Sequence, residues 1–156
     1  MITPELLNNY DFFSGLDHEY VSRLAEIAEE VSIDGDTYIF REGDDILKLY
    51  LIVEGTAAII FEVAGRTSDD KTTEVSLNTI GACDVFGYSA LIPPHTASVT
   101  AKSLTLCQMI SFDGEALLSI FKEDCRFGYM VMQRIAIVMR ERINNIQSVS
   151  LAYMMD

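Results

Sequence analysis

The sequence predicts an α+β domain in which a roll of short β-strands sits between helical ends. Three observations predict it. Apolar residues recur at three and four near both termini, the period falls to two through the middle, and turn residues break that middle at even spacing. With 156 residues, 49 % of them hydrophobic, the chain is a single domain-sized unit able to fill a core of its own.

The N-terminal segment is assigned to residues 3–30, where Leu6, Leu7, Phe12, Phe13, Leu16, Val21, Leu24, Ile27 and Ala28 carry the helical period. Asp17 stands where it would cap a helix before the second group. Residues 31–111 carry the roll. The segments TYIF, LYLIV, AAIIFEV, TEVSL, ASVTA and LCQMI are broken by DGD, EGDD, EGT, AGRTSDD and PP. Short strands so evenly spaced make a sandwich or a barrel. Gly35, Gly43 and Gly55 fall at the turns, and the acids at Glu42, Asp44 and Asp45 read as turn chemistry rather than paired catalytic carboxylates. Residues 64–71, AGRTSDDK, read as an exposed hairpin tip. The helical period returns over residues 113–153, first in GEALLSIF and then in one long helix from Asp124 to about Tyr153.

Composition narrows the function. Against 24 acids stand 11 bases, and the net charge of −13 repels a nucleic-acid backbone, so no direct nucleic-acid contact is expected. No run of eighteen apolar residues occurs, and the opening MITPELLNNYDFF lacks the basic start of a signal peptide, which predicts a cytoplasmic protein without a membrane partner. Cys83, Cys107 and Cys125 match neither a disulfide framework nor a CxxC metal pair, and are expected reduced and structural. Only His18 and His95 are present, too few for a histidine-rich metal centre. There is no GxSxG elbow, P-loop or Rossmann glycine set. No catalytic or metal-ligating residue is therefore expected, and the chain is read as noncatalytic.

Four stretches then occur in one order: FxxGLDxxxxxxLAxxA from Phe12 to Ala28, FREGDxxxxLYLIVEGTAAI from Phe40 to Ile59, DVFGxxAL from Asp84 to Leu91, and TASVTA from Thr96 to Ala101. Together they resemble the cyclic-nucleotide-binding domain family, the sensor module of bacterial catabolite-activator-type regulators, of cyclic-nucleotide-dependent kinases and of cyclic-nucleotide-gated channels. The resemblance runs from Phe12 to about Arg142. It implies a double-stranded β-helix, or jelly roll, flanked by N-terminal helices and a long C-terminal helix. It also implies a phosphate cradle at Phe86, Gly87, Tyr88, Ser89 and Ala90, completed by His95, Thr96, Ala97 and Ser98.

In the family a glutamate follows the FG pair to hold the ribose and an arginine precedes the TAS-like strand to pair with the phosphate; here Tyr88 and His95 stand there. A charge-assisted bond to phosphate contributes roughly 1.5–3 kcal/mol, and a histidine is only partly charged near neutral pH. Three readings stay open: a remodelled pocket for another small phosphorylated or anionic ligand, a pocket emptied by the Tyr88 ring, and cyclic-nucleotide binding through substitutes. No cofactor is fixed by the sequence beyond that ligand class.

Met132, Ile135, Met139, Arg142, Ile146, Val149 and Tyr153 follow alternate steps of three and four, the spacing of a helix–helix seam, with Arg142 as its polar break. Val131, Val138 and Ile143 form a neighbouring stripe. The resemblance implies that this helix is a dimer axis and a ligand-responsive lid, so a parallel homodimer is expected, with Glu141 of the partner chain facing Arg142. The same spacing also fits a helix packed on its own core. The sequence ends at Asp156, where bacterial transcription factors of the family continue into a helix-turn-helix domain. The expected protein is thus a sensor of a prokaryotic cytoplasm acting through a downstream protein, or else a ligand-free dimerisation or docking module.

Overall fold

The computed structural model describes residues 1–63 and 73–155, apart from the Tyr153 side chain; the expected hairpin tip at 64–71 lies outside the described residues. The N-terminal segment forms α1 (Pro4–Leu7), a 3-10 turn at Asp11–Phe13 and α2 (His18–Ile27). Thr3 caps α1, its hydroxyl oxygen accepting from the Leu6 amide at 3.1 Å. Asp17 does occupy the N-cap position of α2, but its side chain makes no capping bond; its carbonyl oxygen accepts from Tyr20 and Val21.

Eight strands follow: β1 (Ala28–Ile33), β2 (Tyr38–Phe40), β3 (Lys48–Glu54), β4 (Ala57–Val63), β5 (Thr73–Ile80), β6 (Val85–Phe86), β7 (Thr100–Ser103) and β8 (Cys107–Asp113). They pair antiparallel in two four-stranded sheets, ordered β1-β8-β3-β6 and β2-β7-β4-β5. This is the expected α+β jelly roll. Two boundaries moved. Ala28, Glu29 and Glu30 belong to β1 rather than to a helix, because pairing with Phe112, Ser111 and Ile110 outweighs the local helical preference. The TASVTA stretch becomes regular strand only from Thr100; before it, Thr96 makes an isolated bridge to Asp45.

The period-two pattern divides the first sheet between two cores. Leu49 and Leu51 of β3 and Ile110 and Phe112 of β8 face outward to the helices, whereas Ile52, Cys107 and Met109 face the second sheet. Helices α3 (Gly114–Glu123) and α4 (Cys125–Met155) then cover the outward face. Asp113 caps α3 through its carboxylate, 2.9 Å from the Ala116 amide, and Asp124 accepts the Phe127 amide at 3.2 Å to start α4. Tyr20 of α2 stacks on Phe127 at 4.3 Å between ring centres, and its hydroxyl donates to Asp124. Gly128 permits the close crossing of α3 and α4: a Cβ there would lie 2.8 Å from that of Phe121.

The long helix turns several residues of the expected seam toward its own chain. Ile135 is fully buried in the chain's own core, and Met132 and Met139 pack against that core from its edge. Ile146 and Arg142 lie over the roll, Val149 is half-buried, and the Tyr153 side chain lies outside the described residues. The stripe that periodicity identified is thus used by the chain itself from Met132 to Ile146, over a sheet face that α2 and α3 also cover.

Candidate functional site

A cavity opens inside the roll beneath the C-terminal half of α4. Phe40 and Ile59 of the second sheet, Phe86 of β6, the turn Gly87–Ser89 and the loop Ala97–Val99 form its walls. Arg142 and Ile146 close it from above, leaving about 40 Å³ of open space. That holds a few water molecules at most. Phe86 is buried and stacks on Tyr50 at 5.1 Å, which fixes the apolar floor.

The turn after β6 is built around Gly87. Its φ of +79° suits glycine, and a Cβ would stand 2.8 Å from the Lys48 carbonyl oxygen. The chain then tightens into a 3-10 turn at Tyr88–Leu91, with the Ala90 amide donating to Gly87 and the Ile92 amide to Ser89. Tyr88 borders the cavity while packing against the helix-side core, so its ring does not by itself fill the space. Of the nine residues expected to bind ligand, Phe86, Gly87, Tyr88, Ser89, Ala97 and Ser98 line this cavity.

Ala90, His95 and Thr96 do not. Ala90 is buried beside Ile46 and Ala97 in a small core of its own. Thr96 is exposed, its hydroxyl 3.5 Å from the Pro94 carbonyl oxygen. His95 adopts a φ of +65° after the cis Pro93–Pro94 bond, and its Nδ1 lies 2.8 Å from the Ser89 carbonyl oxygen. A carbonyl only accepts, so Nδ1 carries the hydrogen and donates it. The imidazole borders a separate groove with Leu47, Asp113, Glu115 and Lys122. His95 is therefore a structural clasp on the turn, which corrects its expected place in the cradle.

Arg142 and Asn78, which sequence reasoning left out of the pocket, stand in its wall, and Asn145 bonds Asn78 from just outside it. Arg142 is half-buried and donates from Nη2 to the Val85 carbonyl oxygen at 2.5 Å. Burial pushes its pKa down, against the opposing pull of Tyr88, Asp84 and Glu141. Asn145 donates from Nδ2 to Asn78 Oδ1 at 2.8 Å. Asn78 is only 6 % exposed, and its own Nδ2 has no protein partner among the described residues. The one sequence signal was Arg142 as a charge inside an apolar stripe, which had to find a partner; that partner is Val85 of the same chain. Outside this cavity, Asn78, Arg142 and Asn145 also border an outer groove of about 470 Å³ between α4 and the β5–β6 turn.

Elsewhere the expected roles are simpler. The Asp44 carboxylate accepts the Arg41 amide at 2.9 Å, as turn chemistry requires. All three cysteines are free thiols; Cys107 is buried, whereas Cys83 and Cys125 are exposed and contribute no core packing. Among the described residues, no His, Cys, Asp and Glu group is placed to hold a metal ion, and no helix is long and apolar enough to cross a membrane.

Comparison with known proteins agrees with this geometry. A curated relative, the CRP-like cAMP-activated global transcriptional regulator of Mycobacterium tuberculosis, is 24 % identical over 142 residues, which are 91 % of this chain and 61 % of the regulator. The chain thus spans about three fifths of that relative's length. Among solved structures, a Geobacter metallireducens GS-15 protein assigned to cyclic-nucleotide binding superposes with a TM-score of 0.79 at 25 % identity, covering 92 % of this chain and 99 % of its own. A cyclic nucleotide-binding domain from Methylobacillus flagellatus KT shares the fold with a TM-score of 0.78 at 18 % identity, covering 96 % and 80 %. The model of the cyclic nucleotide-binding domain matches residues 30–124, more than half of the sequence, and the chain belongs to that family of regulatory domains.

Proposed function

We propose that the chain is a noncatalytic sensor whose roll cavity takes a small anionic ligand, holds cAMP and cGMP only weakly, and reports occupancy to a partner protein through α4. One observation carries the reading: the residue standing at the usual phosphate-arginine position, His95, is turned onto the Ser89 carbonyl and away from the cavity. The Tyr88 phenol likewise stands where a ribose-binding carboxylate would be. The loop therefore offers the ligand no charged group. Titration calorimetry with cAMP and cGMP tests this. Dissociation constants weaker than about 1 µM are expected, equivalent to less than about 8 kcal/mol of binding; tighter values would overturn the reading.

The small volume of the cavity favours a second reading, in which the chain is a ligand-free docking or dimerisation module. A parallel homodimer would have to use the exposed residues of α4, such as Ile137, Ile143 and Leu151, because Ile135 is spent on the chain's own core. Light scattering at high micromolar concentration decides between dimer and monomer. The net charge of −13 speaks against direct nucleic-acid contact, and the free thiols suit a prokaryotic cytoplasm.

A further inference from the structure

We propose that Arg142, carried on α4, is the cation that receives the ligand's negative charge, with the Asn78 amide as a second donor. This rests on the reading of the cavity as an anion site, and it names the group that does the work. Among the described residues, Arg142 is the one charged residue in the cavity wall. Among the described residues it forms no ion pair, and its recorded hydrogen bond is the one to Val85. A guanidinium has five N–H donors, so four remain for another acceptor. Asp84 and Glu141 pull on this guanidinium without reaching ion-pair distance, which leaves its spare donors open to a closer anion.

Asn78 points to the same kind of completion. Its Oδ1 is taken by Asn145, while its buried Nδ2 is unfilled. Turning the Asn78 amide over alone would set two amide donors face to face, so with Asn145 donating to Oδ1 the atom left unfilled is the donor Nδ2. Two donors with spare capacity on one wall select an oxyanion, which only accepts. The opposite walls, Phe40, Ile59 and Phe86, suit a flat apolar body attached to it. Such a ligand exceeds the present 40 Å³. Arg142 and Ile146 must lift together, which ties the charge that recognises the ligand to the helix that would report it.

The test is an NMR titration of the full chain with four probes: cAMP, adenosine, inorganic phosphate and acetate. The readouts are the amides of Gly87, Tyr88 and Ser89 and the Nε–H of Arg142. The wild-type Arg142 signal should shift with cAMP and not with adenosine. Arg142→Gln should weaken cAMP about tenfold and Arg142→Lys less, whereas His95→Gln should stay within about twofold. Inorganic phosphate moving the same signals identifies a free phosphate ligand, acetate a carboxylate, and cAMP alone an organic phosphate. Binding that weakens in His95→Gln and survives in Arg142→Gln overturns this assignment while leaving an anion site. Silence from every anion at millimolar concentration overturns both the assignment and the anion-site reading. If Arg142→Gln misfolds, Arg142→Lys and the wild-type side-chain signal still decide.

Discussion

The two halves of α4 are one continuous helix with two different attachments. From Cys125 to Met139 it is held by apolar burial: Phe127, Val131 and Ile135 are at most 2 % exposed, and Tyr20, Phe121 and Gly128 lock its start to α2 and α3. From Glu141 onward it is held chiefly by two polar contacts, Arg142 to Val85 and Asn145 to Asn78, with Ile146 resting on the cavity. Burial of a large side chain contributes about 1.5–3 kcal/mol and a neutral hydrogen bond about 1 kcal/mol. The first half is therefore expected to stand or fall with the fold, and the second to open as a cover while the roll stays folded.

The largest expected effect breaks the first half. Ile135→Asp places a carboxylate in the apolar cluster that also holds Leu7, Phe13 and Phe112. It should cost more than about 4 kcal/mol, enough to unfold a domain of ordinary stability. Had Ile135 faced a partner helix, the same change would leave a folded monomer. Ile146→Asp should instead leave the far-ultraviolet spectrum and the cooperative transition intact. A folded, monomeric Ile135→Asp protein would put the contrast between the halves in doubt.

Gly87→Ala comes next. It strains a positive-φ position and drives a methyl group toward the Lys48 carbonyl, so a loss of about 1–3 kcal/mol is expected in urea unfolding. The damage should centre on the cavity floor and leave the α2–α4 contact unchanged. Hydrogen exchange sharpens the same comparison with no mutation at all. Amides of residues 128–139 should exchange only on global opening, and those of residues 146–155 much sooner, since few buried contacts hold them. Uniform protection along α4 would show that the cover is as firmly built as the anchor.

Much of this was legible in the sequence, and the parts that were not share a cause. Alternation placed β3 and β8 correctly, because each strand's two faces meet two different cores and leave a period of two. The FG turn was legible because only glycine fits its backbone at residue 87. Helical spacing identified the stripe of α4 but not what covers it; a heptad-like pattern looks the same against a partner helix and against a roll. His95 was misplaced for a similar reason. Its position along the chain is that of a ligand-binding residue, but the left-handed backbone at 95 aims the ring at Ser89, and no residue type announces that conformation.

The smallest expected effect is also the most specific to the second half. Asn145→Ala removes the donor to Asn78 and leaves the already half-filled Asn78 amide with no bond among the described residues. Asn145 itself is exposed, so little packing is lost, and water can reach the freed carbonyl oxygen once α4 shifts. Global stability should therefore fall by about 1 kcal/mol or less. Exchange of the amides beyond residue 140 should accelerate severalfold, and the protection of residues 128–139 should not change. An equal loss in both halves would mean that the helix opens as one unit, and that the polar contacts over the cavity hold the fold rather than a separable cover.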